Sequence, residues 1–263
     1  MLSVVNPNMK PIEQLVKTIA KLRSPKGCPW DKEQTHKTLK RYLIEEAYET
    51  IDAIDSNDSK ALMEELGDVL LQVVLHAQIA RENKKFSFSE IADCVNKKMI
   101  SRHPHVFSNT LVKNSDEVMV NWEKIKKKEK PERKDIFDGI PLSLPALLKA
   151  LKTSKKAARE GFEWKKEADI WKTLDSEIKE FKSASKNKKA DELGDILFTI
   201  VNIARWYKLD PEDSLRLATK KFISRYKRVK NKIKSSRTGI KELSYSKLNN
   251  LWKLVKKEER GKR

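Results

Sequence analysis

Glycine is scarce, at 7 in 263 residues against a usual ~7%. No Walker A, Gly-x-Gly-x-x-Gly or Gly-x-Ser-x-Gly run occurs, which excludes phosphate cradles and nucleophile elbows built on glycine. Cysteine is scarcer still. Cys28 and Cys94 form no Cys-x-x-Cys pair, which argues against a disulfide framework and a structural zinc site. No run approaches the ~18 uncharged apolar residues of a membrane span. Met1 to Lys10 lacks the basic stretch and apolar run of an export signal, so the expected location is the cytoplasm. No long stretch alternates apolar and polar residues, so strands are not expected.

Charge is plentiful instead. Lys and Arg number 57 and Asp and Glu 38, a net +19, and 36% of residues are charged against ~25% in an average domain. Lys, Glu, Leu, Ile and Ala dominate at helical spacing, which reads as an all-α chain. Residues 1–130 hold 22 basic and 19 acidic side chains, and residues 131–263 hold 35 and 19. A basic half suits phosphate or nucleic-acid binding or, more plainly, solvated helix faces rich in lysine. The excess lysines are scattered and no helix-turn-helix, zinc-finger or RNP pattern is present, so nucleic acid is not the expected partner.

The chain repeats itself. Gly27-Cys28-Pro29-Trp30 matches Gly161-Phe162-Glu163-Trp164. Glu65-Leu66-Gly67-Asp68-Val69-Leu70 matches Glu192-Leu193-Gly194-Asp195-Ile196-Leu197. Lys97-Lys98-Met99-Ile100-Ser101-Arg102 matches Lys220-Lys221-Phe222-Ile223-Ser224-Arg225. Trp122 with Lys126-Lys127 matches Trp252 with Lys256-Lys257. The offsets are 134, 127, 123 and 130, so blocks in one order differ only in their connectors. The expected division is a helical domain over 1–130, a linker over 131–145 rich in Pro and Gly, and a second helical domain over 146–263. Helices are expected over 38–54, 59–83 and 89–102, and over 168–185, 189–207 and 212–234. Ser87 or Ser89 would cap the third and Pro211 suits the first turn of the last.

Carboxylates mark the repeated helices. Glu46 and Glu49 share a helix face, as do Glu65 and Asp68, Glu177 and Glu180, and Glu192 and Asp195. Two antiparallel helices would gather each four. Acids on helices are usually solvated, but Asp68 and Asp195 open runs apolar on every side, which predicts burial. Crowded, partly buried carboxylates repel and resist ionisation, and a divalent cation relieves that conflict. An all-oxygen set suits Mg²⁺, Mn²⁺ or Ca²⁺. No histidine lies in the second half, which excludes a His-ligated iron or zinc centre there. Mg²⁺ commonly shares substrate phosphates, so a polyphosphate substrate follows. Lys98 with Arg102, and Lys221 with Arg225, could neutralise phosphate oxygens. Trp122 and Trp252 could stack on a base or pack in the core.

These residues resemble the MazG family of nucleoside triphosphate pyrophosphohydrolases in its two-domain form. The resemblance rests on Gly27 to Thr35, Glu45-Glu46-Ala47-Tyr48-Glu49, both Glu-Leu-Gly-Asp blocks and Arg102-His103-Pro104-His105-Val106-Phe107. It implies a tandem repeat of two helical domains, each contributing to a four-helix-bundle core completed in a homodimer. It also implies Mg²⁺-dependent hydrolysis of NTPs or dNTPs, ATP included, to NMP and pyrophosphate, in nucleotide-pool control. Catalysis would fall in the second half, with Glu177, Glu180, Glu192 and Asp195 as metal ligands. The nucleotide would meet Thr173, Leu174, Asp175, Ser176, Glu177, Lys188, Lys189, Ala190, Asp191, Asp195, Lys221, Phe222, Ile223, Ser224, Arg225 and Trp252. Ser176 departs from the family's first Glu, and the first half keeps it. Glu45, Glu46, Glu49, Glu65 and Asp68, with Lys98, Arg102 and Trp122, could hold a second site. A regulatory protein that binds nucleotides or alarmones with little turnover is the alternative.

Overall fold

The computed structural model describes residues 10–234 and 240–260. Most of the Met1 to Lys10 stretch, and the far ends of both expected domains, lie outside them. The chain forms two compact units, Met1–Lys130 and Pro131–Arg263. Among the described residues there are α-helices and one 3-10 turn and no strand.

The first unit starts with α1 (Pro11–Leu22), whose proline fits the first turn where its missing N–H costs nothing. A tight turn follows. A Cβ on Gly27 would fall 2.0 Å from the Leu22 carbonyl oxygen, so only glycine lets the chain fold back onto the end of α1. That turn leads into α2 (Pro29–Glu33) and α3 (Lys40–Ser56). Asn57 takes a left-handed conformation at φ 56 and ends α3. Asp58 caps α4 (Ser59–Glu82) by accepting from the Lys60 and Ala61 N–H groups. So short a connection makes α3 and α4 an antiparallel pair. Then come α5 (Phe88–Arg102), α6 (Pro104–Phe107) and α7 (Ser115–Lys128). Ser87 and Glu90 form a reciprocal capping box on α5. Ile19, Leu39, Val74, Leu75 and Ile79 form the core, with α1 and α5 against α4.

The second unit repeats the plan in α8 (Ala146–Arg159), α9 (Glu167–Ser183), α10 (Lys189–Trp206), α11 (Pro211–Lys234) and α12 (Tyr245–Arg260). Residues 131–145 are a set of turns held to α8, where the Lys156 ammonium donates to the Ile136 carbonyl. Gly161, the counterpart of Gly27, is kept for another reason, a φ of +97. Leu151, Ile170 and Val201 are buried at the α8–α10 side. Val229, Ile233 and Val255 form a core between α11 and α12.

The apolar runs after Asp68 and Asp195 correct one expectation, because they are buried on one side only. Val74, Leu75 and Val201 are buried, yet Leu70, Leu197, Phe198 and Ile200 are exposed. A helix apolar all round needs neighbours on every side, and each unit supplies them on one.

Candidate metal centre

Helix pairing assembles the carboxylates. Glu45, Glu46 and Glu49 lie on α3, and Glu65 and Asp68 on α4. Glu46, Glu49 and Glu65 each bring one oxygen within 4.8 Å of the others. Burial, then the charges of Asp68 and its neighbours, push the Glu46 carboxyl above the usual carboxylate range. Glu65 is raised by desolvation and by Glu49. In the second unit Glu177, Glu192 and Asp195 gather within the same limit. Glu177 is raised by burial first and then by Glu180, Asp195 and Glu192. Acids on these paired helices thus crowd one another and resist ionisation.

The two trios are not the same positions. Glu46 corresponds to Glu177, Glu49 to Glu180, Glu65 to Glu192 and Asp68 to Asp195. The first unit uses Glu49 where the second uses Asp195. Glu180 stands outside its trio because its carboxylate accepts from the Ser176 hydroxyl at 3.0 Å, one turn away. The Ser176 position holds Glu45 in the first unit, where a second carboxylate repels Glu49 instead of binding it.

The basic residues are placed differently from the expectation. Arg102 is 8% exposed and binds Glu129 at the C-terminal end of α7, with Nη2 2.5 Å from Oε2. Arg225 repeats this with Glu259 on α12, Nε 2.8 Å from Oε2. Each arginine pins two segments of its unit together, a contact not expected from the sequence. The signal was in the sequence, since Glu129 and Glu259 both stand seven residues after the repeated tryptophan. Lys98 and Lys221 on the same helices are exposed. Trp122 has Arg102 and Lys126 within 5.7 and 5.5 Å of its ring centre, and its indole N–H is buried without an acceptor among the described residues. Trp252 packs on the α11–α12 core and on Phe222, ring centres 5.2 Å apart. Trp252 is partly buried, and Phe222 is the more exposed ring, at 57%. Tyr226, stacked on Phe222 at 6.3 Å, was not singled out from sequence, although it stands one turn along the same face.

The remaining positions fall on two helix ends. Thr173 and Leu174 are half-buried and Asp175 and Ser176 exposed on α9. Lys188 precedes α10, and Ala190 and Asp191 are exposed in its first turn. Lys189 donates to the Phe181 and Lys182 carbonyls at the end of α9, a capping contact. Ile223 and Ser224 are exposed on α11.

Residues 34–107 and 167–230 each match the MazG nucleotide pyrophosphohydrolase domain. The chain belongs to the MazG family. Its two matched segments carry the two carboxylate trios. The chain is 43% identical over 246 residues to the nucleoside triphosphate pyrophosphohydrolase/pyrophosphatase MazG of Thermotoga maritima, covering 93% of this chain and 95% of that protein. It is 37% identical to the nucleoside triphosphate pyrophosphohydrolase of Escherichia coli K12, over 95% of this chain and 99% of that one. It is 45% identical to the Bacillus subtilis protein YabN, over 92% of this chain and 51% of the longer relative. In this MazG chain two tandem all-α domains therefore present two sets of acids, and those sets differ in detail.

Proposed function

We propose that this chain hydrolyses nucleoside triphosphates, ATP and dNTPs among them, to NMP and pyrophosphate, with Mg²⁺ or Mn²⁺ held in the second unit. The observation that carries the reading is the Glu177, Glu192 and Asp195 trio. Three carboxyl groups converge on one point and one of them is held back from ionising, a donor set of oxygens alone that fits a hard divalent ion. A metal there would polarise the phosphoryl oxygens and acidify a water for attack at the α–β linkage. Glu180 becomes a fourth ligand if it leaves Ser176. Lys221, exposed on α11, meets the phosphates, with Arg225 beside it, and Phe222 and Trp252 offer rings to the base. The names of the relatives support this activity.

The reading includes a homodimer. Met63, Leu66 and Leu70 on α4 are exposed at spacings of three and four, as are Leu193, Leu197 and Ile200 on α10, and an apolar helix face of that kind marks an interface. Gly67 and Gly194 sit mid-helix with nothing within 4 Å of an added Cβ. A glycine there costs about 0.5–1 kcal/mol and nothing among the described residues requires it, which suits close approach of a partner helix or a ligand. Free Cys28 and Cys94 suit the reducing cytoplasm, where such an enzyme would control nucleotide pools. Among the described residues no helix is long and apolar enough to cross a membrane.

Incubation with Mg²⁺ and a panel of NTPs and dNTPs, with product identification, tests the reading. NMP and pyrophosphate are expected, lost in Glu192→Gln and kept in Glu65→Gln. Binding without turnover for every nucleotide would instead support the regulatory alternative, for which Ser176 is the motive.

A further inference from the structure

Two histidines outside the carboxylate centre meet across the first unit. His36 lies on the turn before α3 and His76 on α4, and their Nδ1 atoms stand 2.7 Å apart. The ring centres are 5.0 Å apart and the planes 5° from parallel. That gap between centres hardly exceeds the nitrogen separation plus the two ring radii. The rings therefore meet edge to edge in one plane, each nitrogen aimed at the other. A zinc ion held at ~2.0–2.1 Å by both nitrogens would push them well apart, so the pair shares a proton and not a metal. One Nδ1 carries a hydrogen and the other a lone pair. A second proton removes the lone pair and sets two like charges side by side.

The bond fastens a tightly built turn to a core helix. Gln34, which is buried, donates to the Trp30 carbonyl at 3.0 Å and accepts from the Thr38 hydroxyl at 2.8 Å. The Thr35 N–H donates to the Thr38 hydroxyl at 2.9 Å, and the Thr38 N–H to that of Thr35 at 3.2 Å. His36 stands between these threonines and is exposed, whereas His76 is half-buried between the buried Leu75 and Ala77. Leu39 ends the turn in the core with Val74 and Leu75.

The elements that meet here carry other charges. Lys37 and Lys40 are exposed, and Arg41 on α3 is held by the Tyr42 hydroxyl. Arg23 at the end of α1 binds Glu82 on α4 at 2.7 Å. Glu90 on α5 is engaged by Ser87, and Asp68 lies about two turns back along α4. What bears on His76 is burial first and then the charge of His36, and both hold it below the usual imidazole range. Folding therefore disfavours the charged ring. The contribution of the pair is complete above the unfolded value and is lost as pH falls from there through the folded one.

The His103 Nδ1–H, by contrast, donates to the Met99 carbonyl at 2.6 Å, a bond that a charged ring keeps. In the second unit Glu167 and Ile203 stand where His36 and His76 do, in the registers that align Glu46 with Glu177 and Glu65 with Glu192. Glu167 accepts from Trp171 and Tyr207 instead.

We propose that His36 and His76 form a one-proton latch, which holds the turn before α3 on α4 near neutral pH and releases it when both rings are charged. The latch belongs to the first unit alone and makes no use of the metal centre, so it stands or falls apart from the proposed activity.

Hydrogen exchange at the Thr38 and Leu39 amides of the full chain, corrected for the intrinsic rate, tests this from about pH 8 to about pH 5. Protection should fall about fivefold, the worth of one hydrogen bond. At the upper pH His36→Ala should lower protection by the same factor and remove the pH dependence, while His103→Ala leaves both unchanged. Nitrogen-15 spectra of the wild-type imidazoles give a second measurement that needs no variant. Near neutral pH they should show an Nδ1–H on one ring of the pair only, with the two rings titrating together. Rings that titrate independently would overturn the latch, as would a pH dependence that survives in His36→Ala.

Discussion

The first and second units carry the same four acidic positions on the same two helices and close on different trios. Glu46, Glu49 and Glu65 converge in one, and Glu177, Glu192 and Asp195 in the other. One neighbour of the acids differs between them. Ser176 donates to Glu180 and draws it aside, whereas Glu45 in the same place offers Glu49 no donor. The duplicated sites thus differ also in a neighbour outside the cluster, a hydroxyl donor in one unit and a carboxylate in the other.

The largest expected effect separates the units by activity. Glu192→Gln should cut pyrophosphate release at least about a hundredfold, the upper range for loss of support to a metal site, while Glu65→Gln leaves it nearly unchanged. The reverse pattern would move catalysis to the first unit.

The repeated ion pairs sharpen the comparison through stability. Arg102 and Glu129 have 9% and 29% side-chain exposure, and Arg225 and Glu259 have 23% and 29%. Glu129→Gln should destabilise its unit by about 2 kcal/mol, between the surface and buried limits. Glu259→Gln should cost about half as much, as urea titration would show.

Exchanging the neighbours should come next in size. Ser176→Glu should free Glu180 and raise Mn²⁺ affinity of the second unit about tenfold, and Glu45→Ser should lower that of the first. Titration calorimetry checks both, and no change in either would show that the Ser176 contact does not govern the trio.

Acid dependence should run in opposite directions within one unit. Arg102 holds Glu129 below its ordinary range, so that contribution is present above the unfolded value and lost as pH falls through the folded one. Glu46 and Glu65 are raised, so their ionisation opposes folding as pH rises from the unfolded value through the folded one. Mg²⁺ should abolish the second effect and spare the first, with protons released on binding, as melting curves with and without metal would show.

The smallest effect is on the helix glycines. Gly67→Ala and Gly194→Ala should each stabilise the separated subunit by about 0.5–1 kcal/mol and weaken self-association, read by light scattering. Tighter association would remove the close-approach reading.

Much of the fold was legible because its signals are local. The spacing of Glu65 and Asp68, the Ser87 cap and Pro211 each act within one turn of helix, and four blocks in one order disclose the duplication without coordinates. The site was legible as helix faces, since residues three apart must share one. Less was legible where two elements compete for one side chain. Arg102 looked like a partner of Lys98, and its ion pair with Glu129 at the end of α7 could not be read from one helix. Trp122 lies beside Arg102 and Lys126, and Leu70 and Leu197 stayed exposed although their runs read as buried.

The sequence by itself determined the helices, the tandem all-α plan and the family, because capping, periodicity and repeated motifs depend on near neighbours along the chain. Only the tertiary structure decided which three of four carboxylates meet, which cations are already paired and which aromatic ring faces solvent. Those choices depend on distances between helices remote in sequence, where a few tenths of a nanometre separate a hydrogen bond from a repulsion.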